Sequence, residues 1–190
     1  MKYKALFLTT GLLLASFSVK AQEVNKPAEN QVRYYIGLQP GLKLDSVNYA
    51  PMYRINILPL TLEYSIDRHW DLRVHSIWEL AVSTENLPTE FTSVGVELSG
   101  LYHFVSKNNQ EGPRGFYLAP VLTPSYHYQK LSPYYSLGVG GELGFSFLIG
   151  NRWSFTLGAQ AGYLLQLDPS IQTLRFYPYA SPVIGFGIWL

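Results

Sequence analysis

Cysteine is absent from this 190-residue chain. That excludes a disulfide scaffold, a thiolate metal site, a Cys nucleophile and a lipidated N-terminal Cys. Charge is scarce, at 14% of residues, where a soluble domain usually carries about 25%. The charges nearly cancel, leaving +1. With no basic run either, nothing in the electrostatics calls for nucleic acid or an acidic partner. Beyond the N-terminus no segment has the roughly 18 uninterrupted apolar residues of a membrane-spanning helix, and helical periodicity is hard to find. There is no HExxH, no phosphate-binding glycine loop and no CxxC. His69 and His103 have no partners at metal-site spacing. The expectation is therefore no cofactor and no metal.

Apolar and aromatic residues are abundant, at 47% and 15%, with Tyr leading the aromatics at 15 residues. The chain begins MKYKALFLTTGLLLASFSVKAQ. Lys2 and Lys4 form a positive n-region, a short apolar stretch follows, and Val19-Lys20-Ala21 fits a small-residue cleavage site. Residues 1–21 are thus expected to be a signal peptide cleaved near Ala21-Gln22. The alternative, an uncleaved anchor, has an apolar core that is short for a spanning helix. Residues 22–32 look like a flexible leader, and residues 33–190 form the main domain.

Within that domain the hydrophobic period is two. In Trp70 to Val82, one set holds Trp70, Leu72, Val74, Ser76, Trp78, Leu80 and Val82. The other holds Asp71, Arg73, His75, Ile77, Glu79 and Ala81. A helix would mix these sets, whereas a strand puts them on opposite faces. The same test picks out eight candidate strands, most of them roughly 10 to 15 residues long. Ordinary globular strands average about 5 to 6; crossing a bilayer takes about 9 to 11. Asp67 to His69 and Gly150 to Arg152 read as tight turns. Asp45 to Met52, Ser83 to Glu90, Gln129 to Pro133 and Asp168 to Arg175 read as longer loops. Short turns on one side and long loops on the other suit an outer-membrane barrel. Ser106 to Arg114 departs from this, being long on the short-turn side.

Alternation alone also fits a soluble sandwich, whose apolar face is its core. Aromatics near the strand ends favour a membrane barrel with interfacial girdles: Tyr34, Trp70, Phe104, Phe116, Tyr126, Tyr128, Trp153 and Tyr163. The opposite face is rich in Gly and Ser with isolated charges, as suits a narrow eight-stranded interior. Pro40, Pro59, Pro120, Pro124 and Pro182 fall inside candidate strands, where a missing donor is disfavoured.

Three stretches carry a resemblance: INILPLTLEYSIDRHWDLRV, GPRGFYLAP and GGELGFSFLIGNRWSFTLGAQAGY. They resemble a family of small outer-membrane β-barrel proteins of unknown function, OmpA/OmpX-like in architecture. The likeness runs from about Arg54 to Tyr163 and marks architecture, not chemistry. Such barrels usually end in an aromatic residue; here Trp189 is penultimate and Leu190 last.

The expected fold is all-β, an eight-stranded antiparallel transmembrane β-barrel. Its lumen would hold Lys43, Glu63, Asp71, Arg73, His75, Glu79, Glu97 and Glu142, with His103 and His127 also inward. Ionisable groups at membrane depth raise a functional hypothesis. The simpler expectation is a charge network that fills the lumen, with Arg73 and Lys43 offsetting Glu63, Glu79, Glu97 and Glu142. Two alternatives remain. One is a narrow channel. The other is a lipid-modifying enzyme with Ser125, His127 and Glu79 attacking an acyl ester, although known lipid A deacylases carry H-x-S and this chain has SYH. The expected protein is a non-enzymatic, monomeric resident of the outer membrane, in contact with its lipids. A surface partner could be met by Tyr49, Met52, Leu87, Phe91, Leu131, Ile171 and Leu174 on the loops.

Overall fold

The computed structural model describes residues 34–47, 50–83, 89–105, 112–128, 133–168 and 173–190. The proposed signal peptide and leader lie outside the described residues. Ten strands follow in order: β1 (Tyr34–Leu38), β2 (Leu42–Val47), β3 (Ala50–Asn56), β4 (Leu60–Ser65), β5 (Trp70–Ser83), β6 (Glu90–His103), β7 (Gly115–His127), β8 (Tyr134–Ile149), β9 (Trp153–Asp168) and β10 (Thr173–Trp189). No helix occurs among the described residues.

All pairings are antiparallel. β5 through β10 pair in sequence, and β1 joins β10 to β4. β4 pairs with β5, which closes the ring. β1 with β2, and β3 with β4, are interrupted staves of one wall, so the barrel has eight staves. The tight turns at residues 67–69 and 150–152 lie at one end, with Tyr34 and Leu190; this is called the turn end. The hairpins after Val47, Ser83, His127 and Asp168 lie at the other, the loop end.

Two expected loops are corrected. Asp45 to Met52 is mostly strand, because Asp45 pairs with Met52 and Val47 with Ala50. The Asp168 to Arg175 loop is narrowed by the Thr173–Asp168 pair. The pairing runs on even where the alternation of apolar and polar residues fades, as at Val47 and Met52, which share the parity of Lys43 and Asp45. The last strand likewise begins at Thr173 rather than near Val183. Of the expected loop hydrophobics, Met52, Phe91 and Leu174 sit in strands. Tyr49, Leu87, Leu131 and Ile171 lie outside the described residues.

The two faces are inverted relative to a water-soluble protein. Glu63, Asp71, Arg73, His75, Glu79, Glu97 and Glu142 are buried, while Leu62, Leu72, Trp78, Leu98, Leu143 and Phe186 are exposed. Soluble proteins bury charge rarely and seldom expose large apolar patches. The apolar exterior is what a lipid-facing wall requires.

The prolines follow one rule. Leu190 and Tyr34 exchange backbone hydrogen bonds, and the β9–β10 register is unbroken. Even-numbered residues of β10 therefore direct their backbone groups away from β9. Pro178 and Pro182 are both even. In β7, Phe116 and Tyr128 bond toward β6, so the missing donors of Pro120 and Pro124 also face β6. There the β6–β7 ladder drops out beside each proline and resumes in the same register. Pro40 and Pro59 occupy the breaks between β1 and β2 and between β3 and β4.

At the second break, side chains replace the lost ladder. Asn56 Oδ1 accepts from the Leu58 and Trp78 amides, and its amide nitrogen donates to the Ser76 carbonyl at 2.8 Å. Ser76 Oγ donates to the Leu58 carbonyl. Asn56→Ala should leave partly buried backbone groups unpartnered and destabilise the barrel by about 1–3 kcal/mol. Urea unfolding from lipid vesicles would measure this, with Asn56→Asp intermediate because it keeps the acceptor only.

Candidate functional site

The lumen is built in tiers because inward residues of neighbouring strands fall in register. The central tier is held by Arg73 on β5. Its Nε donates to Glu63 Oε1 at 2.7 Å on neighbouring β4. Its Nη1 donates to Glu142 Oε1 at 2.8 Å on β8, across the lumen. Tyr117 on β7 donates to the same Glu142 oxygen, and its ring lies 5.4 Å from the guanidinium carbon. All four residues are buried. The ring needs room: a Cβ at Gly144, its register partner, would collide with the Tyr117 hydroxyl. Glycine here exchanges strand propensity for space to seat an inward aromatic.

Toward the turn end, His103 Nε2 lies 2.9 Å from Asp71 Oδ2. Tyr35 and Trp189 meet there with ring centroids 5.3 Å apart. Gly112 and Pro113 are buried beside them, and the Gly112 amide donates to the Asn151 carbonyl. A Cβ on Gly112 would strike the Trp189 ring at 2.5 Å. The end of the anomalous Ser106 to Arg114 segment thus packs on the turn end; residues 106–111 lie outside the described residues.

Toward the loop end most contacts are hydrogen bonds of neutral polar side chains, with the Glu79 and Glu97 carboxylates among the acceptors. Thr61 Oγ1 is 3.0 Å from His75 Nδ1, and Asn56 donates to His75 Nε2 at 3.2 Å. That donor makes Nε2 the acceptor, so Nδ1 carries the proton toward Thr61. Gln160 donates to Glu97 at 3.1 Å and to the Tyr179 hydroxyl at 3.3 Å. Ser93 donates to Glu79 at 2.7 Å, with Arg54 3.9 Å from the same oxygen. His127 stacks on Tyr134 and lies 2.7 Å from Ser136 Oγ.

Of the expected luminal charges, Arg73 engages Glu63 and Glu142, Glu79 meets Ser93 and Arg54, and Glu97 accepts from Gln160. The Lys43 side chain lies outside the described residues. His127 contacts Ser136, not the neighbouring Ser125. Tyr117, Gln160, Ser93, Asn56 and Trp189 were not among the sequence candidates. All have inward parity, which was the available signal.

The expected girdle residues point outward and fall at two levels. Tyr34, Trp70, Phe104, Phe116 and Trp153 lie toward the turn end, and Tyr126, Tyr128 and Tyr163 toward the loop end. Unanticipated rings join them. Phe116, Phe145 and Phe147 make successive contacts at 4.9 and 4.6 Å, and Trp153 stacks on Phe186 at 5.3 Å. At the other level, Trp78, Phe91, Tyr128, Tyr126 and Tyr135 form a chain of contacts. Trp153 and Tyr163 are ten residues apart on β9. At about 3.3 Å per residue and a tilt near 40° that spans roughly 25 Å, the height of a lipid-facing band.

No family model and no curated protein matches the chain. Among solved structures, the outer membrane protein OprG from Pseudomonas aeruginosa is similar at 14% identity, covering 85% of this chain and 97% of that one, with a TM-score of 0.42. The fold itself is read from the strand ladders.

Removing Arg73 alone leaves two buried carboxylates opposed. Arg73→Met should destabilise the barrel by about 3–5 kcal/mol. Adding Glu63→Gln and Glu142→Gln should restore much of the loss, because a neutral tier carries no uncompensated charge. Vesicle unfolding curves of the single and triple variants would measure both effects.

Proposed function

We propose that this protein resides in the outer membrane as a barrel sealed along its axis, with a structural or interaction role exercised at its loop end. The carrying observation is the Arg73–Glu142 bond. It spans the lumen between β5 and β8, and Tyr117 fills the space beside it. An eight-stranded barrel has an interior just wide enough for side chains, so such a tier leaves no continuous aqueous path. The paired aromatic levels and the apolar belt between them support residence in a bilayer. Export would use residues 1–21 as a cleaved signal, with the turn end facing the periplasm. The protein would act as a monomer in contact with outer-membrane lipids.

A lipid-modifying activity has the Ser136–His127 contact in its favour. Both residues, however, face the lumen, and no acyl substrate on the outer wall can reach them there. The barrel is accordingly read as non-enzymatic.

In an outer-membrane fraction the protein should migrate differently before and after boiling, as a detergent-stable barrel does. Reconstituted in liposomes it should give no sugar-dependent swelling. A triple Arg73→Ala, Glu142→Ala, Tyr117→Ala variant, if it keeps the gel shift, should permit swelling. Swelling by the wild type would overturn the sealed-axis reading. A periplasmic, unshifted band would overturn membrane residence.

A further inference from the structure

The two tight hairpins at the turn end are built alike. One reads Asp67-Arg68-His69-Trp70 and the other Asn151-Arg152-Trp153. In each, a Trp leads the following strand and points outward, 42% exposed at Trp70 and 47% at Trp153. Each indole rests on a ring of a neighbouring stave, Trp70 on Tyr102 at 5.2 Å and Trp153 on Phe186 at 5.3 Å. Each is preceded within two residues by an exposed arginine. Among the described residues neither Arg68 nor Arg152 meets a carboxylate.

Both arginines stand on fixed backbone. Asp67 Oδ1 accepts from the His69 and Trp70 amides at 2.7 and 2.8 Å, which pins the first turn. In the second, the Asn151 carbonyl accepts from the Gly112 amide and the Arg152 carbonyl from the Trp189 amide. A further polar side chain adjoins each arginine. His69 stacks on Tyr102 at 5.7 Å, and its Nδ1 lies 2.8 Å from the His103 carbonyl. A carbonyl only accepts, so Nδ1 carries a proton and Nε2 is left open. Asn151, which is exposed, takes the corresponding place in the second turn.

Depth decides what these arginines meet. Trp70 and Trp153 lie in the turn-end aromatic level, at the edge of the hydrocarbon. Arg68 and Arg152 stand one or two residues farther out, roughly 2–5 Å at a rise near 3.3 Å per residue and a tilt near 40°. Their long stems add to that reach. This is the layer of lipid phosphates, just outside the hydrocarbon. A guanidinium has five donors and no acceptor, and it binds phosphate oxygens in pairs. A phosphodiester therefore fits. An ammonium on the same headgroup would face the guanidinium with like charge, so a headgroup without one fits better. The loop end differs. Arg54 and Arg175, described there, have inward parity, opposite Ala81 and Gln166.

We infer that the turn end carries two headgroup sites for an anionic glycerophospholipid. One is Arg68 with His69 and Trp70, the other Arg152 with Asn151 and Trp153. In each, the guanidinium holds the phosphodiester, the adjoining polar side chain meets the headgroup hydroxyls, and the indole lies along the glycerol and the first acyl carbons. The inference rests on the membrane-resident reading and adds to it a preference for one leaflet. Anionic lipid is drawn to the turn end, and the depth of the barrel is fixed there.

The test is native mass spectrometry of the full barrel released from nanodiscs that hold phosphatidylglycerol and phosphatidylethanolamine in equal amounts. The wild type should retain up to two phosphatidylglycerol molecules, each roughly fivefold above phosphatidylethanolamine. Arg68→Gln and Arg152→Gln should each remove one and the double variant both, while Arg175→Gln keeps the wild-type count. Should one of these lose its gel shift, Arg68→Lys or Arg152→Lys replaces it and should lower the preference, because the paired donors are lost. Equal retention of the two lipids would overturn the sites, as would an unchanged count in the double variant. Displacement of the lipid by millimolar inorganic phosphate would also overturn the inference, by making these sites for a free anion. Loss of the gel shift in the wild type sinks membrane residence instead; a shifted barrel that retains no lipid sinks the sites alone.

Discussion

Hydrocarbon offers no partner to a backbone amide or carbonyl. That constraint dictates that the chain's apolar surface be carried on strands, that the strands close into a ring, and that interruptions be repaired locally. Asn56 and Ser76 are such a repair. They restore with side chains what the β3–β4 break takes from the ladder. The even spacing of Pro120, Pro124, Pro178 and Pro182 belongs to the same logic, since each lost donor falls on one predictable edge.

The second demand comes from the inside of a narrow tube. Once the outward set is apolar, the inward set must fill a column too thin for bulk water and too long for small residues alone. Aromatics over glycines, such as Tyr117 over Gly144, supply volume. A guanidinium between two carboxylates supplies cohesion across the lumen. Such a buried arrangement is a poor source of net stability, given the desolvation of three charges. It does specify which staves face one another: β5 is fixed opposite β8 as well as beside β4. Toward the loop end most contacts join neighbouring staves and impose less.

Much of this was legible in the sequence. Period two gave the faces of Trp70 to Val82 residue by residue, and the inward charges on β4 through β8 follow from parity alone. Partner choice was not legible. Whether Arg73 meets Glu97 or Glu142 depends on the stagger between strands, and parity is silent on stagger. The Asp45 to Met52 stretch was misread because polar residues near a hairpin look like loop, whereas they pair in register as strand. The prolines were visible but their meaning was not. It depends on which edge each residue's backbone faces, a property of the assembled ladder.

The wall is closed by its first and last staves, Tyr35 to Leu38 against Phe186 to Trp189. Every other ladder joins strands that are near neighbours in sequence and can form as hairpins while the chain is still open. The closing ladder is the most non-local contact in the molecule and among its shortest. Folding should therefore be late-committing, with a nearly complete open sheet waiting on a single zippering step. Unfolding should start at the same place, which makes the lifetime of the folded barrel a property of those four residue pairs more than of the long β8–β10 sheet.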